Sequence, residues 1–288
     1  MVRRAGLFLL ALVAVVAAWE AYKAVGPATG GEVFGWNLLP RTNDNAMPHV
    51  WDMGERLLED ESRTSDRPIW RVVLIAAWYS FRLALTGFAI GTLVGVGLAA
   101  VMARFQIVRR GLLPYVVISQ TVPMIALAPL VVSWGGRLQL WGWEWPRWAS
   151  VAVLGAFLAF FPVAVGTLRG LESAPATALE LMRSYAASGR QTMFKLRFPG
   201  AVPFMVPAMR LAATASVIGV VVAEISTGLR AGVGRLIIEY SRQSTGDPAK
   251  VYTAVLGTAV LGLAMAGLVV ACDALLMRRR PSLDEGAL

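Results

Sequence analysis

Long uncharged apolar stretches alternate along the chain with short connections rich in Arg, Lys and Trp. Four stretches, Leu83 to Ala103, Gly111 to Gly136, Trp148 to Leu168 and Val251 to Cys272, contain no Asp, Glu, Lys or Arg. Each exceeds the roughly 18 residues that mark a membrane-crossing helix. Two weaker candidates join them. Ala5 to Trp19 is cut short by Glu20, and Leu211 to Ala223, bounded by Arg210 and Glu224, extends backwards through the apolar Phe198–Met209. The pattern predicts an all-α integral membrane protein with about six transmembrane helices.

Composition supports lipid as the solvent. Of 288 residues, 57% are hydrophobic and 16% charged, and the mean hydropathy is +0.60, far above that of a water-soluble domain. The net charge of +9 is spread among apolar blocks instead of gathering on one face, which argues against nucleic acid and for membrane topology. A single Cys272 and a single His49 exclude an intrachain disulfide and a Cys/His zinc site. His49 receives no catalytic role, and Asp273 is expected to be an interfacial charge beside the basic stop Arg278–Arg280.

Basic residues near span ends favour the cytoplasm. Arg3, Arg4, Arg104, Arg109, Arg110, Arg169, Arg183, Arg190, Lys195, Arg197 and Arg278–Arg280 are therefore expected inside. Arg137, Arg147, Arg230, Arg235, Arg242 and Lys250 fall on the opposite face. The start, Val2-Arg3-Arg4 before an apolar run, reads as a secretory signal ending near Ala17-Ala18 or as a retained anchor. The anchor is preferred, because six spans place both basic chain ends on the cytoplasmic side. Eight of ten tryptophans, Trp36, Trp51, Trp70, Trp134, Trp141, Trp143, Trp145 and Trp148, fall in or beside the two outer loops, as an interfacial belt or a docking surface. In the second span Gly87, Gly91 and Gly95 recur every four residues, with Gly97 nearby, and mark a face for close helix packing.

The connection between the fourth and fifth spans, Glu172–Pro207, is built differently from a loop. Ser173 or Thr177 is expected to cap a first helix carrying Leu179, Glu180, Met182 and Arg183. Ser188 with Gln191 matches a capping box for a second, which Pro199 and Pro203 are expected to end. The bend falls at Tyr185-Ala186-Ala187. Such a helix-turn-helix, held by two spans, moves only with them.

Here the sequence resembles a known family. Glu180-Leu-Met-Arg-Ser-Tyr-Ala-Ala-Ser188, with Gln191 and Phe198-Pro199-Gly200-Ala-Val-Pro203, is similar to the EAA loop of binding-protein-dependent ABC importer permeases, especially the sulfonate, taurine and nitrate branch. Ser80-Phe-Arg-Leu-Ala-Leu-Thr-Gly87-Phe-Ala-Ile-Gly91, Pro123-Met-Ile-Ala-Leu-Ala-Pro129-Leu, Val222-Ala223-Glu224 and Gly232-Val-Gly234 resemble the same branch. The resemblance implies a type I ABC importer permease-like fold. Residues 1–70 would form the anchor span and outer loop, 71–280 the permease core with the coupling loop at 172–207, and 281–288 a cytoplasmic tail. It also implies a coupling helix that docks on an ATPase through Glu180, Arg183, Ser184, Ala186, Ala187, Ser188, Gln191 and Pro199. The chain departs from the family where Ala186 replaces the usual bend glycine and Leu181 and Met182 replace two alanines. Gly189 is expected to take up part of the turn. The outer linker Arg137–Arg147 also looks longer than the family's.

Candidate translocation-path residues are Ser119, Gln120 and Thr121 in the third span, Thr214 and Ser216 in the fifth, and Glu224 near its outer end. Each has a plainer reading. The hydroxyls and the amide also serve helix packing, Glu224 can simply reach water, and Glu180 can pair with Arg183 at i+3. The chain has no Gly-x-x-x-x-Gly-Lys-Ser/Thr run, so no cofactor is expected on it, and ATP and Mg belong to a separate ATPase subunit. It is read as a non-catalytic transport subunit. The other partners the resemblance implies are an extracytoplasmic solute-binding protein and a second permease copy, most simply as a homodimer. The expected location is a prokaryotic cytoplasmic (inner) membrane. An ion-coupled secondary transporter and an intramembrane enzyme rank lower, because the four long spans hold no ionisable residue deep within them, no paired carboxylates and no His cluster. Cargo stays open between sulfonate, taurine or nitrate and a vitamin precursor such as a thiamine pyrimidine or riboflavin.

Overall fold

The computed structural model describes residues 2–33, 36–62, 65–140, 143–229 and 231–277. The expected stop Arg278–Arg280, the tail 281–288, Trp141 and Arg230 lie outside the described residues.

Helices dominate, as the apolar blocks dictate. In chain order they are α1 (Val2–Val25), α2 (Val50–Leu58), α3 (Ile69–Arg104), α4 (Gln106–Ile118), α5 (Met124–Gly135), α6 (Arg147–Glu172), α7 (Ala176–Ser184), α8 (Gly189–Thr192), α9 (Phe198–Thr227), α10 (Val233–Ser241) and α11 (Pro248–Met277). Three antiparallel ribbons, β1 (Gly31–Val33) with β2 (Trp36–Leu39), β3 (Asp60–Ser62) with β4 (Ser65–Pro68) and β5 (Gln139–Leu140) with β6 (Trp143–Glu144), occupy connections, a detail the all-α reading omits.

Among the described residues α3, α6, the run Gly189–Thr227 and the Pro248–Ala274 part of α11 are long and apolar enough to cross a bilayer. The first expected span falls on α1, 24 residues long. The expected continuous span Gly111–Gly136 is instead broken: α4 and α5 meet at 102°. A 3₁₀ turn at Ser119–Thr121 precedes Val122, which is extended at ψ 123° ahead of Pro123. The ring of a proline disfavours helical conformation in the residue before it and removes an N–H, so the helix stops there.

The chain divides into two compact units. In the first, Met1–Ala76 with Arg235–Gly257, polar side chains close the ends of apolar helices. Glu20, which interrupts the first apolar block, accepts from the Val50 backbone at 2.8 Å and meets His49 Nδ1 at 2.7 Å, so His49 has a structural partner. Lys23 bonds Asp44 at 2.6 Å, and this bond holds the Asp44 carboxyl below its usual range. Lys250, counted above among the outer charges, is buried. Its ammonium donates to the Glu61 carbonyl at 2.7 Å and to Gln243 at 2.9 Å, and lies over the Tyr240 ring at 4.6 Å. Burial, with Glu61 beside it, pushes the Tyr240 phenol up, which keeps it a neutral donor to Glu61 at 3.1 Å.

In the second unit, Ala77–Gly234 with Thr258–Leu288, small residues let three helices approach. A Cβ on Gly87, Gly91 or Gly95 would stand 2.7, 2.8 or 2.7 Å from the Ala152, Ala156 and Phe160 carbonyls of α6. The expected packing face is therefore real, but it excludes Gly97, which has open space. On its other side α6 meets α9: Gly155 lies against Ser216 and Val220, and Gly170 against Ala201. Ala159, Val163 and Ala212 form the buried centre between them. Asp273 pairs with Arg210, while the terminal arginines expected beside it lie outside the described residues.

Candidate functional site

The 172–207 connection is helical, as its pattern requires, but its punctuation differs from expectation. Ser173 closes α6, donating its hydroxyl to the Gly170 carbonyl at 2.8 Å, instead of opening α7. Thr177 lies inside α7, which starts behind Pro175 with no side-chain cap. At φ −58° and ψ 142° Pro175 already holds the extended entry conformation. The second cap forms as expected: Gln191 N–H donates to Ser188 Oγ at 3.3 Å and Ser188 N–H to Gln191 Oε1 at 2.8 Å. Neither Pro199 nor Pro203 ends a helix. A π turn at Met193–Arg197 carries α8 into α9, where Pro199 sits in the first turn and Pro203 inside the helix. Pro199 lacks the N–H that would bond back into the π turn, yet the helix passes through it without ending. The helical run from Gly189 to Thr227 spans 39 residues.

The bend is a Schellman closure. Ala187 N–H bonds the Met182 carbonyl and Ala186 N–H the Arg183 carbonyl, both at 2.9 Å. This closure needs a left-handed residue at Ala186, whose φ is 49°, the only positive value at a non-glycine among the described residues. Gly189 lies within α8 and takes up none of the turn. Left-handed conformation costs an alanine about 1–2 kcal/mol, offset in part by the extra chain entropy glycine loses on folding. Ala186→Gly is thus expected to stabilise the chain by about 0.5–1 kcal/mol and raise the thermal midpoint in detergent. A lower midpoint would show that the bend does not hold its left-handed form.

Glu180, Arg183, Ser184, Ala186, Ser188, Gln191 and Pro199 are exposed and Ala187 is half-buried. Among the described residues Glu180 and Arg183 form no ion pair with each other or with any neighbour. Leu181, Tyr185 and Phe194 stand out at 56, 77 and 62% exposure. The connection therefore presents a mixed apolar and charged surface.

Glu224 does not reach water: it is 1% exposed. Its carboxylate accepts from Ser80 Oγ at 2.7 and 2.9 Å and from the Gly234 N–H at 2.9 Å, while Ser80 Oγ accepts from the Val233 N–H at 3.0 Å. Gly232, at φ 101°, leaves the carboxylate the space that a Cβ would take. The cluster ties α3, α9 and the first residues of α10 together. A buried carboxylate persists only with donors of this kind.

Ser119, Gln120 and Thr121 gather at the 102° elbow. Ser119 Oγ donates to Val116 O and Thr121 Oγ1 to Ile118 O, each at 2.8 Å, and Gln120 donates to Ser119 Oγ at 3.3 Å. Thr214 bonds back to the Leu211 carbonyl at 2.9 Å, whereas Ser216 is fully buried and donates to the Ala84 carbonyl of α3 at 2.8 Å. Ser80 is the participant that pattern reasoning passed over, although Ser80, Ala84, Gly87, Gly91 and Gly95 form one stripe of small residues on α3. Trp145 donates to Ser150 at 2.9 Å, while Trp134 is 60% exposed.

Residues 87–278 match the family described as the binding-protein-dependent transport system inner membrane component. The formylaminopyrimidine transport permease protein ThiX of Halalkalibacterium halodurans is 36% identical over 138 residues, 48% of this chain and 52% of that protein. SsuC of Bacillus subtilis, whose name assigns it to aliphatic sulfonates transport, is 30% identical over 155 residues, 54% of this chain and 51% of that protein. The chain spans little more than half the length of such relatives. The methionine ABC transporter MetNI in inward-facing form is similar in fold, with a TM-score of 0.57 and 17% identity over 74% of this chain and 98% of that one.

Proposed function

Because the chain belongs to the family of binding-protein-dependent transport system inner-membrane components, we propose that it is the membrane-spanning permease subunit of an ATP-driven importer. The observation that carries this reading is the exposed α7–Ala186–α8 surface, which continues without a break into α9. An ATPase gripping Glu180, Leu181 and Tyr185 moves the start of a 39-residue helix whose far end carries Glu224. Load at one end is then delivered to the other, which is the mechanical requirement for switching access across a membrane.

In this scheme ATP and Mg bind the partner ATPase, and this chain catalyses nothing. Two permease copies, most simply a homodimer, form the path, and an extracytoplasmic binding protein delivers the solute. Both chain ends and the 172–207 connection face the cytoplasm of a prokaryotic cell, as the basic bias there favours. The elbow at Ser119–Thr121 supports a path role for those residues, since discontinuous helices expose unpaired backbone to a solute. The solute is a small molecule or ion of the sulfonate, taurine or nitrate class. A second reading, a pyrimidine precursor, is favoured by the 36% identity to ThiX.

Co-purification of the tagged chain with its ATPase, reconstituted in lipid, tests the proposal. Wild type is expected to hold the ATPase, and Glu180→Ala to release it or to lower transport per ATP by about 10-fold, the equivalent of about 1.4 kcal/mol at the contact. Failure of wild type to bind any ATPase sinks the importer reading. Full coupling in Glu180→Ala removes Glu180 from the contact.

A further inference from the structure

A cavity of about 390 Å³ lies between the end of α3, α7, α8 and the π turn, within the second unit. Arg104, Arg183 and Arg197 line it, with Thr192. None of the three arginines meets a carboxylate among the described residues, although nearby Arg109 pairs with Glu172. The Arg104 guanidinium borders Gly189, 3.8 Å from where a Cβ would stand, and its other contact is the Phe105 ring at 5.5 Å. Arg197 makes one long bond, 3.4 Å to the Ala103 carbonyl, and its Nε is buried without a partner.

Three positive charges lining one cavity repel one another, and the desolvated Arg197 Nε–H lacks the acceptor it had in water. One anion with several acceptor oxygens relieves both. A carboxylate offers two oxygens in one plane, whereas a phosphate group offers three in a tetrahedron, enough for three guanidinium forks. We propose that this cavity binds a phosphate group. The source is a free phosphate compound or an anionic phospholipid headgroup; Phe105 and Ile107, 53 and 87% exposed beside Arg104, offer an apolar surface to acyl chains. The site does not depend on the importer reading, because it needs neither an ATPase nor a solute.

Thermal unfolding of the full chain without partners tests it in two arms. The first titrates inorganic pyrophosphate in neutral detergent against sodium chloride of equal ionic strength. The second compares nanodiscs of phosphatidylcholine with and without phosphatidylglycerol. In the responsive arm the midpoint is expected to rise by roughly 3 °C at saturation. Arg104→Gln and Arg197→Gln, made separately so that one reads out if the other fails to fold, each shift half-saturation by about 10-fold or more. Arg110→Gln, outside the cavity, leaves it unchanged. Response to pyrophosphate assigns a free phosphate compound, and response to phosphatidylglycerol alone assigns the headgroup. No response in either arm, or a response that survives both cavity variants, overturns the proposal.

Discussion

Gly91→Leu is expected to abolish accumulation of the folded chain in membranes. A Cβ at Gly91 would stand 2.8 Å from both the Ala156 carbonyl and the Ala159 Cβ, and three further carbons would have to enter the same seam. The neighbours cannot yield. The contacts are the backbone and shortest side chains of α6, whose opposite face is already pressed against α9 through Gly155 and Gly170. Overpacking a well-filled core costs about 1–3 kcal/mol when side chains can adjust; here backbone must separate, so the cost exceeds that range. In a bilayer the loss is not recovered by burying leucine, because lipid is as apolar as the interface. Gly97→Leu is the internal control, since nothing lies within 4 Å of its Cβ position, and should change stability by less than about 0.5 kcal/mol. Membrane expression and size-exclusion profiles of the two variants decide the matter. Equal yields would mean that the α3–α6 seam is not the close contact described.

Glu224→Ala carries the second large effect. It strips the acceptor from the Ser80 hydroxyl and the Gly234 N–H, both buried, and opens a void beneath Gly232. Breaking a buried charged network by removing one member costs about 3–5 kcal/mol, because the groups left behind stay desolvated and unpaired. Glu224→Gln keeps the volume but offers an amide N–H₂ where both neighbours donate, and should cost about 1–2 kcal/mol. Gly232→Ala forces a methyl group into the carboxylate from a positive-φ position and should resemble Glu224→Ala. Ser80→Ala combined with Glu224→Ala should destabilise less than the sum of the two singles, since they share one bond. Midpoints of thermal unfolding across the five variants, Ser80→Ala alone included, measure this; a Glu224→Ala variant that melts with wild type would mean that the buried cluster contributes nothing.

The elements legible in the chain were those dictated by local chemistry. Apolar blocks too long for anything but a spanning helix located α3, α6 and α11, and the weaker block Leu211–Ala223, extended back through Phe198–Met209, located α9. A four-residue glycine period announced a packing face on α3, and Ser188 with Gln191 announced a cap. The bend at Tyr185-Ala186-Ala187 was legible from the motif, and Ala186 turned out to hold the left-handed position at which glycine is the usual residue. Other local signals misled. Ser173 looked like an N-cap because hydroxyls close helix ends of both kinds, and Pro199 and Pro203 looked like stops although a helix packed among others in lipid carries proline without ending. The uncharged run Gly111–Gly136 gave no warning of a 102° elbow, since composition is blind to the direction a helix takes after Pro123.

Sequence by itself determined that the chain is a multi-pass helical membrane protein of the transport family, because hydrophobic length and motif spacing are properties of consecutive residues. Only the tertiary structure decided what each polar residue in the spans does. Glu224 and Ser80 are separated by 144 positions, and Arg104 and Arg197 by 93, so nothing local says that the first pair shares a hydrogen bond or that the second borders one cavity. In lipid, where an unpaired polar group is costly, the role of such a residue is set by its partner. That partner is fixed by how helices pack.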